Sequence, residues 1–242
     1  MINIISVVIP AYNEEKNIEK CLKSLNKQTI SRQNFEIIVV DGHSTDKTVE
    51  IAKEFADKVI MQKTRWIAGA RNDGAHAAKH DIIACTDADC AVNESWLEEI
   101  EKSLSKKDVV AVFGPVVPPE NRETFYAIYF YVTNKGLSVL NKLNMHLAYA
   151  SSFAFKKQQF LEIGAFSDIS MLEDYELCTR IKKKGKVKYN KKMKVRYDTR
   201  RFNKYGLIRT VLMTQWNIMK IMFGFKPHEN IEYAKQSYDD VQ

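Results

Sequence analysis

Four short apolar runs, each ending in proline or an acid or leading into a segment of helical periodicity, constrain this chain more than any other feature. Ile4 to Ile9 is continuous and closed by Pro10, which suits a parallel strand buried on both faces. Ile18, Cys21, Leu22 and Leu25 then recur at helical spacing, with Glu14 and Glu15 in the first turn, where the helix dipole favours negative charge. A second strand, Phe35 to Val40, ends at Asp41-Gly42, and Ser44 suits the N-cap of a helix carrying Val49, Ala52 and Phe55. A third strand, Lys58 to Met61, leads into a helix from Gly69 to Lys79. The fourth run, Asp81 to Thr86, ends at Asp87-Ala88-Asp89. This β-α-β-α-β-α-β order predicts an α/β fold with a doubly wound, mostly parallel sheet flanked by helices.

After Asp89 the rhythm changes. A helix from Glu94 to Leu104 is followed by a strand from Val109 to Val117, an aromatic-rich helix from Thr124 to Leu143 and a strand from Ala148 to Phe155. We read one domain over 1–205, with a nucleotide-binding half over 1–105 and an acceptor-binding half over 106–205. An amphipathic helix and tail follow over 206–242.

Asp-x-Asp at the end of a buried strand puts two anions at the carboxyl edge of a sheet, where open α/β folds bind ligands. They repel each other unless a cation or a set of donors shares them, so a divalent metal carrying a diphosphate is the first reading. A surface turn rich in aspartate is the plain alternative. Two further carboxylate stations, Asp41 and Glu173-Asp174, follow other segments, and a site assembled from strand ends can gather all three.

The wording of these segments is as informative as their positions. Val7 to Glu15 (VVIPAYNEE), Val39 to Asp46 (VVDGHSTD), Gly69-Ala70-Arg71-Asn72, Asp87-Ala88-Asp89 and Leu172 to Leu177 (LEDYEL) resemble, in order, the signature blocks of family 2 inverting glycosyltransferases with the GT-A fold. The resemblance covers about residues 4–205. It implies that Pro10, Ala11, Tyr12 and Glu14, in the loop after the first strand, hold the base and ribose of a nucleoside diphosphate sugar together with Asp41. It implies that Arg71 approaches the nucleotide, and that Asp89, with Asp87 nearby, anchors Mn²⁺ or Mg²⁺ on the diphosphate. Asp174 is then the general base for an acceptor hydroxyl, with Glu173 the alternative. Thr199-Arg200-Arg201-Phe202 departs from the Gln-x-x-Arg-Trp block of many relatives, but Arg200 and Arg201 still offer cations to the leaving diphosphate. Transmembrane helices of the kind processive synthases carry are missing from the sequence, so a single-sugar, non-processive transferase is expected. The acceptor is a glycan, a lipid-linked molecule or a small molecule.

Composition narrows the alternatives. An apolar content of 45% with 28% charged residues describes a globular protein and excludes a disordered one. Cys21, Cys85, Cys90 and Cys178 lack metal-type spacing, which fits a reducing compartment. With neither a signal sequence nor a long apolar span, the chain reads as cytoplasmic, or as bound at the cytoplasmic face of a membrane. Residues 180–204 hold 13 Lys or Arg and a single acid, so this segment carries +12 of a chain total of +7. Nucleic acid could use such a patch, but three carboxylate stations would repel its phosphates, so we expect no nucleic-acid partner. The remaining alternative is a noncatalytic protein that binds nucleotide sugar, or one that binds nucleic acid through the patch. A sugar-nucleotide pyrophosphorylase should carry a glycine-rich phosphate loop near its start, and residues 10–15 have no glycine.

Two side-chain groups stay open. Leu207, Ile208, Val211, Leu212, Trp216, Met219, Met222 and Phe223 form a helical stripe, which packs on this protein or on a homodimer partner, or lies in a membrane interface. Phe125, Tyr126, Tyr129, Phe130 and Tyr131 serve as core or as a platform for sugar, and His146 and His228 are weaker metal candidates.

Overall fold

The structure is a computed structural model and describes residues 5–118, 124–142, 148–198, 206–222 and 225. Ten strands are described: β1 Ile5–Ala11, β2 Phe35–Asp41, β3 Lys58–Met61, β4 Ile82–Cys85, β5 Cys90–Val92, β6 Val109–Phe113, β7 Val116–Val117, β8 Phe153–Lys156, β9 Lys186–Tyr189 and β10 Val195–Tyr197. The helices are α1 Ile18–Leu25, α2 Thr48–Phe55, α3 Trp66–Ala77, α4 Trp96–Leu104, α5 Thr124–Lys142, α6 Lys157–Glu162, α7 Glu173–Ile181 and α8 Leu207–Met222.

Seven strands form the central sheet in the order β3-β2-β1-β4-β8-β6-β9, all parallel except β8, which runs against β4 and β6. A second sheet, β5-β10-β7, lies beside it. The central strands read as unbroken apolar runs because both faces are covered. Val7, Ile9, Ile37 and Val39 point to one side, against Leu22 and Leu25 of α1, Ala52 of α2 and Trp96 and Ile100 of α4. Val8, Ile38 and Val40 point to the other, into a cluster with Ala70 and Ala75 of α3, Phe160 of α6 and Leu177 of α7. Each such large apolar side chain contributes roughly 1.5–3 kcal/mol on burial.

Several boundaries differ from the expected ones. β1 continues through Pro10 to Ala11, paired with β2 alone at that end, so the missing proline N–H removes no ladder bond to β4. α1 starts at Ile18, and Glu14 precedes it, its carbonyl accepting from the amides of Asn17 and Ile18. Ser44 does not cap α2, which starts at Thr48 behind Lys47; Asp46, one residue earlier, accepts at Oδ1 from Thr48 N at 2.9 Å. The expected strand over 109–117 is two strands in different sheets, parting at Gly114, where a Cβ would lie 2.0 Å from the Met193 carbonyl oxygen. The start of the expected 148–155 strand includes a short 3₁₀ turn, Ala150–Ser152.

Candidate active site

The walls of the site begin with two loops bonded to each other. After β1 and β2 the chain passes through left-handed backbone at Asn13 (φ 51°) and His43 (φ 66°), conformations that a non-glycine residue holds only when its surroundings enforce them. The enforcement is visible. Asn13 N donates to Ser44 Oγ at 2.9 Å, Thr45 N to Asn13 Oδ1 at 2.9 Å, Glu14 N to Thr48 Oγ1 at 2.7 Å and Glu15 N to Asp46 Oδ2 at 3.1 Å. Between these loops, at the last position of β2, Asp41 is buried. Its Oδ2 accepts from Ser44 N at 3.0 Å, while Oδ1 is buried with no hydrogen-bond partner. A buried acceptor left unmade is costly, so Asp41 Oδ1 keeps an unused acceptor position between the two loops. Half-buried Tyr12 stands just beyond the end of β1, whereas Pro10 and Ala11 are strand residues rather than loop residues.

The second wall follows β4. Asp87, Asp89 and Cys90 bring potential ligand atoms within 4.8 Å of one another. Burial first, and then the charges of Asp89 and Asp87, push the Cys90 thiol well up, and Cys90 is buried whereas Asp87 and Asp89 are only partly so. The two carboxylates offer hard oxygen donors of the kind that divalent cations such as Mg²⁺ or Mn²⁺ take.

Arg71 joins this wall to the third. Expected beside the nucleotide, it lies 1% exposed, beneath the acids. Its Nη2 donates to Asp87 Oδ1 at 2.6 Å and its Nη1 to Glu173 Oε1. Burial works against the guanidinium charge, but the carboxylates of Asp87 and Glu173 outweigh it and push its pKa up. α3 can carry this arginine so deep because its neighbouring residues are small; at Gly74 a Cβ would come 2.3 Å from Val8 Cγ1.

Glu173 and Asp174 open α7 behind Leu172, another residue in left-handed backbone (φ 61°). Asp174 Oδ2 accepts from Ala150 N and Oδ1 from Tyr175 N, both at 2.8 Å. Burial, followed by the charge of Glu173, pushes its carboxyl up to about 7, against the opposing effect of those amides and Arg71. A carboxyl so placed can exchange a proton near neutral pH. Tyr149 is close enough to feel this charge; its phenol is pushed up chiefly by burial, with smaller upward contributions from Tyr129 and Asp174. No local sequence signal marks Tyr149 or the contact that joins Arg71 to Glu173, 102 positions away.

Four cations of the basic segment have partners among the described residues. Arg180 holds Glu176 and the carbonyls of Ile163 and Ala165, while Lys184, Lys186 and Lys192 pair with Glu162, Asp108 and Glu99. Arg200, Arg201, His146 and His228 lie outside the described residues. Of the aromatic stretch, Phe130 is buried and Tyr131 exposed with Lys135 Nζ 5.4 Å from its ring centre.

The strand order, with acids gathered at one edge of a mostly parallel sheet, defines a GT-A fold. The chain belongs to glycosyl transferase family 2, which matches residues 6–164. The mannosyltransferase PcManGT from Pyrobaculum calidifontis, solved with GDP-Man and Mn²⁺, superposes with a TM-score of 0.67 at 25% identity, over 80% of this chain and 56% of that one. TarS from S. aureus, solved with UDP-GlcNAc, shares the fold with a TM-score of 0.64 at 18% identity, over 81% of this chain and 58% of that one. Among curated relatives, glycosyltransferase AglE from Haloferax volcanii is 36% identical over 118 residues, 46% of this chain and 39% of its own length. A dolichyl N-acetyl-alpha-D-glucosaminyl phosphate 3-beta-D-2,3-diacetamido-2,3-dideoxy-beta-D-glucuronosyltransferase from Methanococcus voltae is 27% identical over 191 residues, 72% of this chain and 56% of its own length. The chain thus spans about half the length of these relatives.

Proposed function

We propose that this chain is a metal-dependent inverting glycosyltransferase that moves one sugar from a nucleoside diphosphate sugar to an acceptor hydroxyl. The observation that carries this reading is the buried guanidinium of Arg71, which bonds Asp87 of the paired aspartates to Glu173, the neighbour of Asp174. One cation ties the donor-binding acids to the base station, so two functions drawn from distant parts of the sequence share one rigid unit.

In this mechanism Asp41 Oδ1 accepts a hydrogen bond from the ribose or the base, with Tyr12 beside it. Asp89 and the outer oxygen of Asp87 would hold Mn²⁺ or Mg²⁺, which supplies Lewis acidity to the departing diphosphate. PcManGT, with Mn²⁺ and a nucleotide sugar bound, supports that assignment. Asp174, its carboxyl near neutrality and oriented by two amides, takes the proton of the acceptor hydroxyl as that oxygen attacks the anomeric carbon opposite the diphosphate. Opposed attack and departure invert the carbon. Glu173 is bonded to Arg71, which supports a positioning role for it and favours Asp174 as the base.

The test is a thermal-shift panel of UDP, GDP, CMP, ADP and dTDP, each with Mn²⁺, Mg²⁺ or EDTA. A ligand at about 100 times its Kd stabilises the native state by about 2.7 kcal/mol. A shift with one diphosphate that disappears in EDTA is the expected result; silence across the panel, from folded protein, overturns the donor site.

A further inference from the structure

Two helices on the acceptor side carry apolar faces that the described residues leave exposed. On α5, Ile128, Tyr131, Val132 and Val139 are each more than half exposed and share one face at i, i+3, i+4 and i+11. On α8, Leu212, Trp216 and Met219, 48–65% exposed, repeat at i, i+4 and i+7. The opposite side of α8 is anchored: Asn217, 1% exposed, donates from Nδ2 to Met171 Sδ at 3.3 Å. Met171 directly precedes Leu172-Glu173-Asp174, so the inner side of α8 holds the base loop while the outer side offers Leu212 and Trp216.

Charge selects the partner. α5 and α8 contain no Asp or Glu, where the chain average would place about four, and each holds two Lys or Arg. Packing against protein gives no reason to exclude only acids, whereas a surface of lipid phosphates repels them and attracts the cations. Trp216, Tyr131 and Lys135 are residue types that settle at headgroup depth. Among the described residues no helix is long and apolar enough to cross a membrane, so the contact is one of docking.

We propose that the outer faces of α5 and α8 dock on an anionic lipid bilayer, with the Glu173-Asp174 loop held on the inner side of the docked α8. The experiment is flotation of the full chain, without nucleotide, on vesicles of phosphatidylcholine alone or mixed with phosphatidylglycerol. The chain should float with the anionic vesicles, less so as salt rises, and stay behind with the neutral ones. Leu212→Ser/Trp216→Ser and Ile128→Ser/Val132→Ser, all at exposed positions, should each lower the partition coefficient by about tenfold or more while keeping the wild-type melting temperature. Failure to float on anionic vesicles, equal binding to neutral ones, or undiminished binding by either double variant overturns the two-helix surface. So does a dimer seen by light scattering that the same substitutions dissolve, because the faces would then belong to a second copy. Flotation is read without donor or acceptor, so its failure leaves the transferase proposal standing.

Discussion

The two halves of the site are built in opposite ways. On the donor side, β1 and β2 are seven residues each and buried throughout, and their loops are locked by side-chain to backbone hydrogen bonds. On the proposed acceptor side, strands of two to five residues are separated by helices and loops, and the proposed base, Asp174, rides on a helix start reached through a left-handed leucine. The first is rigid by virtue of a ladder; the second is held by particular polar contacts, above all Arg71 to Glu173 and Ala150 N to Asp174. A site can therefore place one reactant by its fold and the other by a few bonds, and substitutions should separate the two.

The largest separation should come from Asp174→Asn. It removes the base but keeps the shape, so turnover should fall about 10²–10⁴-fold, measured as sugar transfer, while the metal-dependent nucleotide thermal shift is unchanged. In the wild type, the rate should rise with pH through about 7 as Asp174 ionises. A flat profile across that range would break the assignment.

Next in size is Arg71→Met, which strikes both halves at once. It leaves Asp87 and Glu173 facing each other without their cation, a loss of about 3–5 kcal/mol for a buried pair broken on one side, read by urea denaturation. Adding Glu173→Gln should restore part of that loss, because the uncompensated charge is then gone; a strictly additive double variant would show that Arg71 does not couple the halves.

The smallest effect concerns stability against pH. Because Asp174 is raised in the folded state, its neutral form favours folding below the ordinary aspartate range, and that contribution is lost as pH rises through about 7. Asp174→Asn should match the wild type near pH 3 and exceed it above neutrality by about 2–4 °C in Tm for a chain of this size, the carboxyl being partly open to water.

The same contrast governs what could be read in the sequence. β1 and β2 were visible nearly to the residue because burial on both faces leaves a continuous apolar run, and β3, a half-exposed edge strand, from Lys58 to Met61 to the residue. β9 and β10 lie within the segment that reads as a basic patch, where Val187 and Val195 are single buried residues among exposed lysines, too few for a period to register. Ser44 looked like a helix cap because serine before a helix usually is one; here its hydroxyl serves the neighbouring loop, the helix starts four residues later behind Lys47, and Asp46 bonds Thr48 N. The acid stations were legible as motif blocks, but Arg71 was not legible as their bridge. Its helix carries a low, alanine-rich pattern, and its partners lie 16 and 102 positions away.

The bonded loops after β1 and β2 have a further consequence for turnover time. Since Asn13, Glu14, Thr45 and Thr48 are already engaged with one another in the free protein, the ordering entropy of that wall is settled during folding, and donor binding leaves it nearly unchanged. Spent nucleotide can then leave and fresh donor enter without that wall opening. In the proposed mechanism the pace of exchange falls to the opposite wall, where the paired aspartates would hold the diphosphate through a metal, so the loops act as a fixed berth and the acids as the mooring that must be slipped.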